Sequence, residues 1–384
     1  MTTTGPGIKF IHSSDWQIGM TRAFLSPEAL SRFSQARIDA IATLGDLAKR
    51  HGAQFIIVAG DVFESNQLSR QTLLRALDAL ESLPVPVFLL PGNHDPLNAA
   101  SIFSTKEFQN VGKHVIVLRD MNPVAVPGVP GAEVVGAPWR TKHPNSDLVG
   151  ELADFLNTAN SVVRIAVGHG QLDSLSPDPS QPEVIDLARA ELAIRSGKFH
   201  YLGLGDRHSV TEIGITGRVH YSGAPVATAF DETNPNKALL VEVQPGGECR
   251  VEALEVGAWS FIAEERAMNG PEDLAAFAKW LNDTPNKERT AIKVGFEGSI
   301  NLATAAALDE IMDSRADLFA SLQQRERTMD LAIVPDRLDQ DSVSLSGYAR
   351  DTWNALHEKA QQDDAVAQDA IRLFYRLSAQ GGAE

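Results

Sequence analysis

Cysteine is nearly missing: Cys249 is the single one in 384 residues. No internal disulfide can form and no thiolate metal cluster can be built, so a reducing cytoplasm is the expected setting. In the context ECRVEAL, Cys249 reads as a strand residue rather than a nucleophile. Long apolar runs are also missing, with none near the roughly 18 residues of a membrane span, which leaves no membrane role to expect. The first residues, MTTTGPG, lack the basic and apolar blocks of a secretory signal and read as a short disordered lead-in. Positive charge is the scarcer sign, 34 Lys and Arg against 50 Asp and Glu, for a net charge of −16. Phosphate neutralisation supplies most non-specific nucleic-acid affinity, so any grip on nucleic acid is local or shared with a partner. Internal repeats, low-complexity tracts and a reactive Ser or Cys motif are absent as well.

What is present is alternation. Through the first 205 residues, segments expected as strands (9–13, 55–59, 87–90, 115–118, 133–135, 162–167 and 201–204) alternate with expected helices (28–50, 70–80, 147–158 and 183–195). Segment 28–50 places Leu30, Phe33, Ile38, Ile41, Leu44 and Leu47 near one face. Segment 55–59, FIIVA, is a continuous apolar run of the kind buried on both sheet faces. From 211 to 254 the helical signal stops, and short strands separated by YSGAP, NPNK and PGGE suggest a β-rich close. Three units are expected: 8–256; a smaller α/β unit over 257–336, with helices at 271–281 and 301–312 and strands at 290–296 and 329–334; and terminal helices within 347–378, at 348–361 and 364–377, after a linker at 335–346. The terminal helices read either as a partner-docking element or as simple packing on the second unit.

Metal-type side chains follow the strands in a spaced series: Asp15 in SSDWQ, Asp61 in VAGDVF, Asn93 in LPGNHD, His169 in VGHG and His208 in GLGDRHS. Open α/β sheets place their sites at strand ends. A carboxylate emerging after Gly60 can bridge two hard cations through its two oxygens, although alone it is equally a helix cap or a loop Asp. Pro91-Gly92-Asn93 is ordinary turn chemistry, but turn chemistry does not account for the adjacent His94-Asp95. There Asn93 offers a neutral oxygen, His94 is free to face substrate, and Asp95 can hold the loop or orient an imidazole. A lone strand-end histidine is usually a satisfied surface residue; two of them in repeated strand–Gly–turn contexts are not. His12, His51, His114, His143, His200, His220 and His357 lack that context and are read as structural. Trp16 and Trp139 read as packing residues. Arg140, Lys142 and His143 read as a solvated loop, or with Arg22, Arg207 and Arg218 as phosphate contacts.

In this order the motifs resemble the calcineurin-like metallophosphoesterase superfamily, and within it the SbcD-type DNA-repair nucleases, counterparts of the meiotic-recombination nuclease subunit. The resemblance runs from about Lys9 to Pro225, closing on YSGAP, and covers the C-terminal unit only in outline. It implies a four-layer αββα sandwich with a smaller C-terminal α/β cap and terminal helices. It also implies a dinuclear site. Asp15, Gln17, Asp61 and His208 would hold one metal; Asp61, Asn93, His169 and Asp206 would hold the other. His94 would be the catalytic histidine, acting as general acid on the leaving oxygen of a phosphodiester attacked by a metal-activated water. The implied setting is a cytoplasmic DNA exonuclease, with DNA, an SbcC-type ATPase and a second copy of the chain as partners.

Two positions depart from the family pattern. Gln17 stands where the first motif has His, and Asp206 where the last has His. Gln17 can ligate through its amide oxygen or hold a metal-bound water. Both changes exchange nitrogen for oxygen, which favours manganese or magnesium over metals that prefer softer ligands. Two other classes share the motifs: a phosphodiesterase or phosphatase for small phosphoesters, and a non-catalytic binding subunit with drifted ligands.

Overall fold

The computed structural model describes residues 7–334 and 347–360, together with 364, 366–367, 370–371 and 373–374. The expected linker at 335–346 lies outside these residues, as does much of the second terminal helix. The chain divides into two compact units, Met1–Ala23 with Leu30–Trp259, and Phe24–Ala29 with Ser260–Glu384.

The first unit holds two six-stranded sheets. In one, β1 (Ile8–Ser13), β2 (Phe55–Val58), β3 (Val87–Leu89) and β4 (Val115–Val117) run parallel. The other contains β5 (Val124–Ala125), β6 (Ala132–Gly136), β7 (Val163–His169), β8 (Tyr201–Gly205), β9 (Val210–Ile213) and β10 (Val219–Ser222), in the order β5-β6-β7-β8-β10-β9. Strands β6, β7, β8 and β10 run parallel, with β5 and β9 antiparallel at the edges. The β-rich close expected after residue 211 is not a separate sheet. Strands β9 and β10 extend the second sheet, while β11 (Lys237–Val243) and β12 (Cys249–Glu255) extend the first, antiparallel beside β1. A local hydrophobic pattern does not say which sheet a strand joins.

Period-two alternation explains the layering. Phe10, Phe55, Ile57, Phe88 and Leu90 from the first sheet meet Val134, Ile165, Val167 and Tyr201 from the second in one core. The alternate residues Ile11, Ile56, Val58, Val87 and Leu89 face α1 (Pro27–His51) and α2 (Arg70–Glu81). A short turn of helix, α3 (Lys106–Gln109), adds Phe108 to that layer. On the far side, Ala166, Leu202 and Leu204 pack with α4 (Leu148–Phe155) and α5 (Leu187–Arg195). The result is helix, sheet, sheet, helix. Helices α4 and α5 are shorter than the expected 147–158 and 183–195. Asp147 and Asp186 act as N-caps, accepting from the Gly150 and Arg189 amides, and Leu156 is already extended.

The second unit is a parallel sheet of β13 (Ser260–Ala267), β14 (Thr290–Asn301), β15 (Ser321–Gln324) and β16 (Asp330–Val334). Helices α6 (Pro271–Asp283) and α7 (Leu302–Ala316) bury Phe277, Leu281, Leu308 and Met312 against Ile292, Val294 and Phe296. Helix α8 (Tyr348–Ala360) buries Trp353, whose ring lies 5.9 Å from that of Phe374. Among the described residues no helix is long and apolar enough to cross a membrane.

The polar side chain of His12 enters the inter-sheet core beside Tyr201. His12 is fully buried, its Nε2 donating to the Leu204 carbonyl at 3.2 Å and its Nδ1 accepting from the Tyr201 hydroxyl at 3.0 Å. Burial, and then the nearby His220, lower its pKa to about 3, so it is neutral in the folded state. An unfolded imidazole takes a proton below about 6.5. The stability from keeping His12 neutral is therefore complete above that pH and is lost as pH falls towards 3, a change on the order of 4 kcal/mol. Urea titrations of the parent chain and His12→Gln should show their stability difference narrowing across that window. Parallel pH curves would refute the assignment.

Candidate metal centre

Every predicted site residue lies at the carboxyl end of a parallel strand. Asp15 and Gln17 follow β1, Asp61 follows β2, and Asn93 and His94 follow β3. His169 ends β7, while Asp206 and His208 follow β8. The loops after β1 and β2 are joined by backbone bonds from Asp15 to Gly60 (3.1 Å), Gln17 to Asp61 (2.8 Å) and Ile18 to Val62 (3.0 Å). Eight non-glycine residues among those described have positive φ, and four of them are Asp15, Gln17, Asp61 and Asp206. Each such conformation costs on the order of 1–3 kcal/mol, and clustered strain of this kind marks functional sites.

The side chains converge in two overlapping groups. Asp15 Oδ1 lies 3.7 Å from His208 Nε2, and the Gln17 amide nitrogen lies 3.5 Å from the same ring nitrogen. Asp61 Oδ1 lies 3.5 Å from His169 Nε2, Asp206 Oδ1 3.8 Å from it, and Asn93 Oδ1 2.8 Å from it. The Asp206 amide donates to the Asp15 carboxylate at 3.1 Å, linking the groups. Asp15, Asp61 and His169 are buried, each with a ligand atom within 4.8 Å of the others. Glycine makes the approach feasible: a Cβ at Gly60, where φ is +91°, would lie 2.1 Å from His169 Nδ1, and one at Gly92 would lie 2.2 Å from Asp61 Oδ1.

The donor chemistry suits a divalent cation. Gln17 Oε1 is buried without a hydrogen-bond partner. Asn93 Oδ1 faces His169 Nε2 and lies 3.2 Å from both Asp61 oxygens. Nδ1 of His169 donates to the Ala59 carbonyl at 2.9 Å, so in the neutral ring Nε2 carries a lone pair. Set against the two Asp61 oxygens and a neutral ring, the Asn93 oxygen is repelled unless the amide nitrogen turns in to donate, His169 Nε2 takes a proton, or a cation lies among them.

Residues 8–195 match the family model for calcineurin-like phosphoesterases. The chain carries a calcineurin-like phosphoesterase domain. The matched segment contains Asp15, Gln17, Asp61, Asn93, His94 and His169, and ends before Asp206 and His208. The chain is 25% identical over 281 residues to the SbcD component of the SbcCD nuclease of Escherichia coli K12, covering 65% of this chain and 68% of that one. It is 27% identical over 152 residues to the DNA double-strand break repair protein Mre11 of Archaeoglobus fulgidus, spanning about a third of each (35% and 33%). A dimetal phosphatase from Danio rerio aligns in structure with a TM-score of 0.40 at 13% identity, over 66% of this chain and 99% of that one. A purple acid phosphatase from yellow lupin aligns at 0.38 and 9%, over 67% and 52%.

His94 stands apart from the inner cluster of the phosphoesterase domain. Its backbone N–H donates to Asp61 Oδ1 at 3.0 Å, and its ring Nδ1 donates to the Glu64 carbonyl at 3.0 Å. Its side chain is 37% exposed, whereas that of His169 is fully buried. Asp95 holds the loop rather than an imidazole: its two oxygens accept from Phe63 N (3.0 Å) and Gly92 N (2.7 Å). Burial, then the Asp61 charge, raise its pKa to about 7. Trp139 packs edge-on against the His169 ring and donates to the His169 carbonyl. Arg140 lies on an exposed loop and donates to the Arg119 carbonyl.

Electrostatics follow the same division. Burial raises the Asp15 and Asp206 carboxyls, with His208 and His169 opposing. Burial pulls His169 down, but Asp61, Asp15 and Asp206 prevail and push it up to about 9. His208 is likewise lowered by burial and raised overall by Glu232 and Asp15. The centre is anionic, and positive charge is drawn into it. Glu232 and Thr228 escaped the sequence reading; they lie beyond YSGAP in a stretch without a motif, and only the fold brings them against His208. Beside them a cleft of about 370 Å³ is lined by Gln171, Asp206, Arg207, His208, Asp231 and Glu232, among others.

Proposed function

We propose that this chain is a metal-dependent DNA phosphodiesterase, an exonuclease of the SbcD type. The observation that carries the reading is the convergence of Asp15, Gln17, Asp61, Asn93, His169, Asp206 and His208 at the strand ends, with His94 on the accessible side of Asp61. Asp15, Gln17, Asp61 and His208 would hold one divalent ion; Asp61, Asn93, His169 and Asp206 would hold the other. Manganese is the preferred ion and magnesium the alternative, because five of these seven side chains present oxygen. Such a pair of ions supplies charge neutralisation at the phosphate and a water acidified for in-line attack. The protein's own step is proton delivery. With Nδ1–H committed to the Glu64 carbonyl, His94 Nε2 is left to hand a proton to the leaving oxygen.

The net charge of −16 fits a grip on DNA shared with a partner, for which an SbcC-type ATPase is the candidate, with dimerisation of the chain. The same charge favours small phosphoesters, which need less phosphate neutralisation than DNA, as a second reading. The purified chain with Mn²⁺ should degrade end-labelled linear duplex, and chelation should abolish this. Turnover of bis-(p-nitrophenyl) phosphate with intact DNA would select the second reading. No turnover of either, with Mn²⁺ bound, would leave a binding subunit.

A further inference from the structure

His169 and His208 are fixed by different means. Both rings are held through Nδ1, which turns Nε2 towards the carboxylates. The partner of His169 is a backbone carbonyl, whereas that of His208 is a built polar assembly. His208 Nδ1 lies 2.6 Å from Thr228 Oγ1 and 3.0 Å from Glu232 Oε1. The Thr228 hydroxyl donates to the same carboxylate, and the Thr228 backbone N–H donates to Glu232 Oε2 at 2.9 Å. A carboxylate only accepts, and the hydroxyl proton is already directed to it. The hydrogen between the ring and this pair therefore belongs to Nδ1, and Nε2 is left with its lone pair.

The assembly is enclosed. The Glu232 side chain is 6% exposed, and Thr228 is buried. Its loop is tied to the first ligand loop by Arg37, a buried guanidinium that donates to the Trp16 carbonyl at 2.8 Å and the Ala227 carbonyl at 3.4 Å. Arg22 adds a bond to the Thr228 carbonyl at 2.9 Å. A buried carboxylate beside an imidazole fixes its orientation and makes the opposite nitrogen a stronger donor than a carbonyl partner does.

We infer that Glu232, acting with Thr228, is a positioning residue that fixes His208 in its Nδ1–H form and strengthens it as a ligand, so that the metal position at His208 depends on a charge the His169 position does not use. The inference rests on the proposed two-metal reading. Its unaided part, the state of the His208 ring, is measurable without metal.

The full chain and its Glu232→Gln and Glu232→Ala variants would be compared, with thermal melts confirming folding. Long-range ¹H–¹⁵N correlation spectra of the metal-free protein, recorded at alkaline pH where imidazoles are neutral, report the tautomer of His208. The parent should show Nδ1–H, Glu232→Ala a mixture, and Glu232→Gln recovery, because its amide oxygen still accepts. Mn²⁺ titrations followed by the signal of the free ion should show one position weakened by roughly 10–100-fold in Glu232→Ala, with the other unchanged and Glu232→Gln intermediate. An unchanged tautomer in Glu232→Ala, or equal weakening of both positions in folded Glu232→Gln, overturns the inference. If the parent binds no Mn²⁺, the two-metal reading fails and the metal half of the inference with it, whereas the tautomer result still decides the positioning half.

Discussion

Asp61→Asn should bind Mn²⁺ with reduced stoichiometry and lose at least about 10³-fold in turnover, the several kcal/mol of charge stabilisation that a bound cation supplies. The side chain lies between both groups of donors: Oδ1 is 3.5 Å from His169 Nε2 and accepts the His94 amide, while Oδ2 lies 3.9 Å from His94 Nε2. Asparagine keeps the volume and one acceptor but removes the charge. The metal-free form should melt close to the parent, because losing the Asp61 charge relieves the Asp15 and Asp95 carboxyls but also removes its attraction for the His169 ring. Added Mn²⁺ should raise the melting temperature of the parent and raise that of the variant far less, since a ligand stabilises only the form that binds it. Calorimetric binding and thermal melts with and without Mn²⁺ check both halves. Mn²⁺ binding equal to the parent would remove Asp61 from the ligand set.

His94→Ala should leave Mn²⁺ binding intact and lower DNA turnover by about 10²–10⁴-fold, the usual contribution of a general acid. Two features separate His94 from His169 and His208: its exposure, and a ring held by the Glu64 carbonyl rather than buried among carboxylates. The discriminating measurement is leaving-group dependence. A p-nitrophenolate departs without a proton, so the variant should retain much more of its activity on bis-(p-nitrophenyl) phosphate than on DNA. Equal losses on both substrates would instead make His94 a residue that positions the phosphate, and lost Mn²⁺ binding would make it a ligand.

Both of these side chains were legible in the sequence. Asp61 and His94 stand in short, local words, VAGDVF and PGNHD, that follow buried apolar runs. A strand, a tight glycine and a polar side chain are all specified within about six residues there. The inter-sheet core was legible for the same reason, since alternating faces are a property of neighbours in the chain. Helix ends were less so. Asp186 reads as part of a helical pattern until its carboxylate is seen to accept the Arg189 amide. Asp95 was open between two roles, and only its bonds to Phe63 and Gly92 choose between them.

The order of metal-type side chains after strands, and with it the class of chemistry, was determined by the sequence alone, because each motif is local. Tertiary structure decided what those side chains meet. Asp15 meets Asp206 and His208 across more than 190 positions because β1 and β8 end at the same edge of two packed sheets. Strands β11 and β12 return to the first sheet, and Glu232, on the chain leading into them, reaches His208. Contacts of this kind depend on sheet order and register, which no window of neighbouring residues encodes.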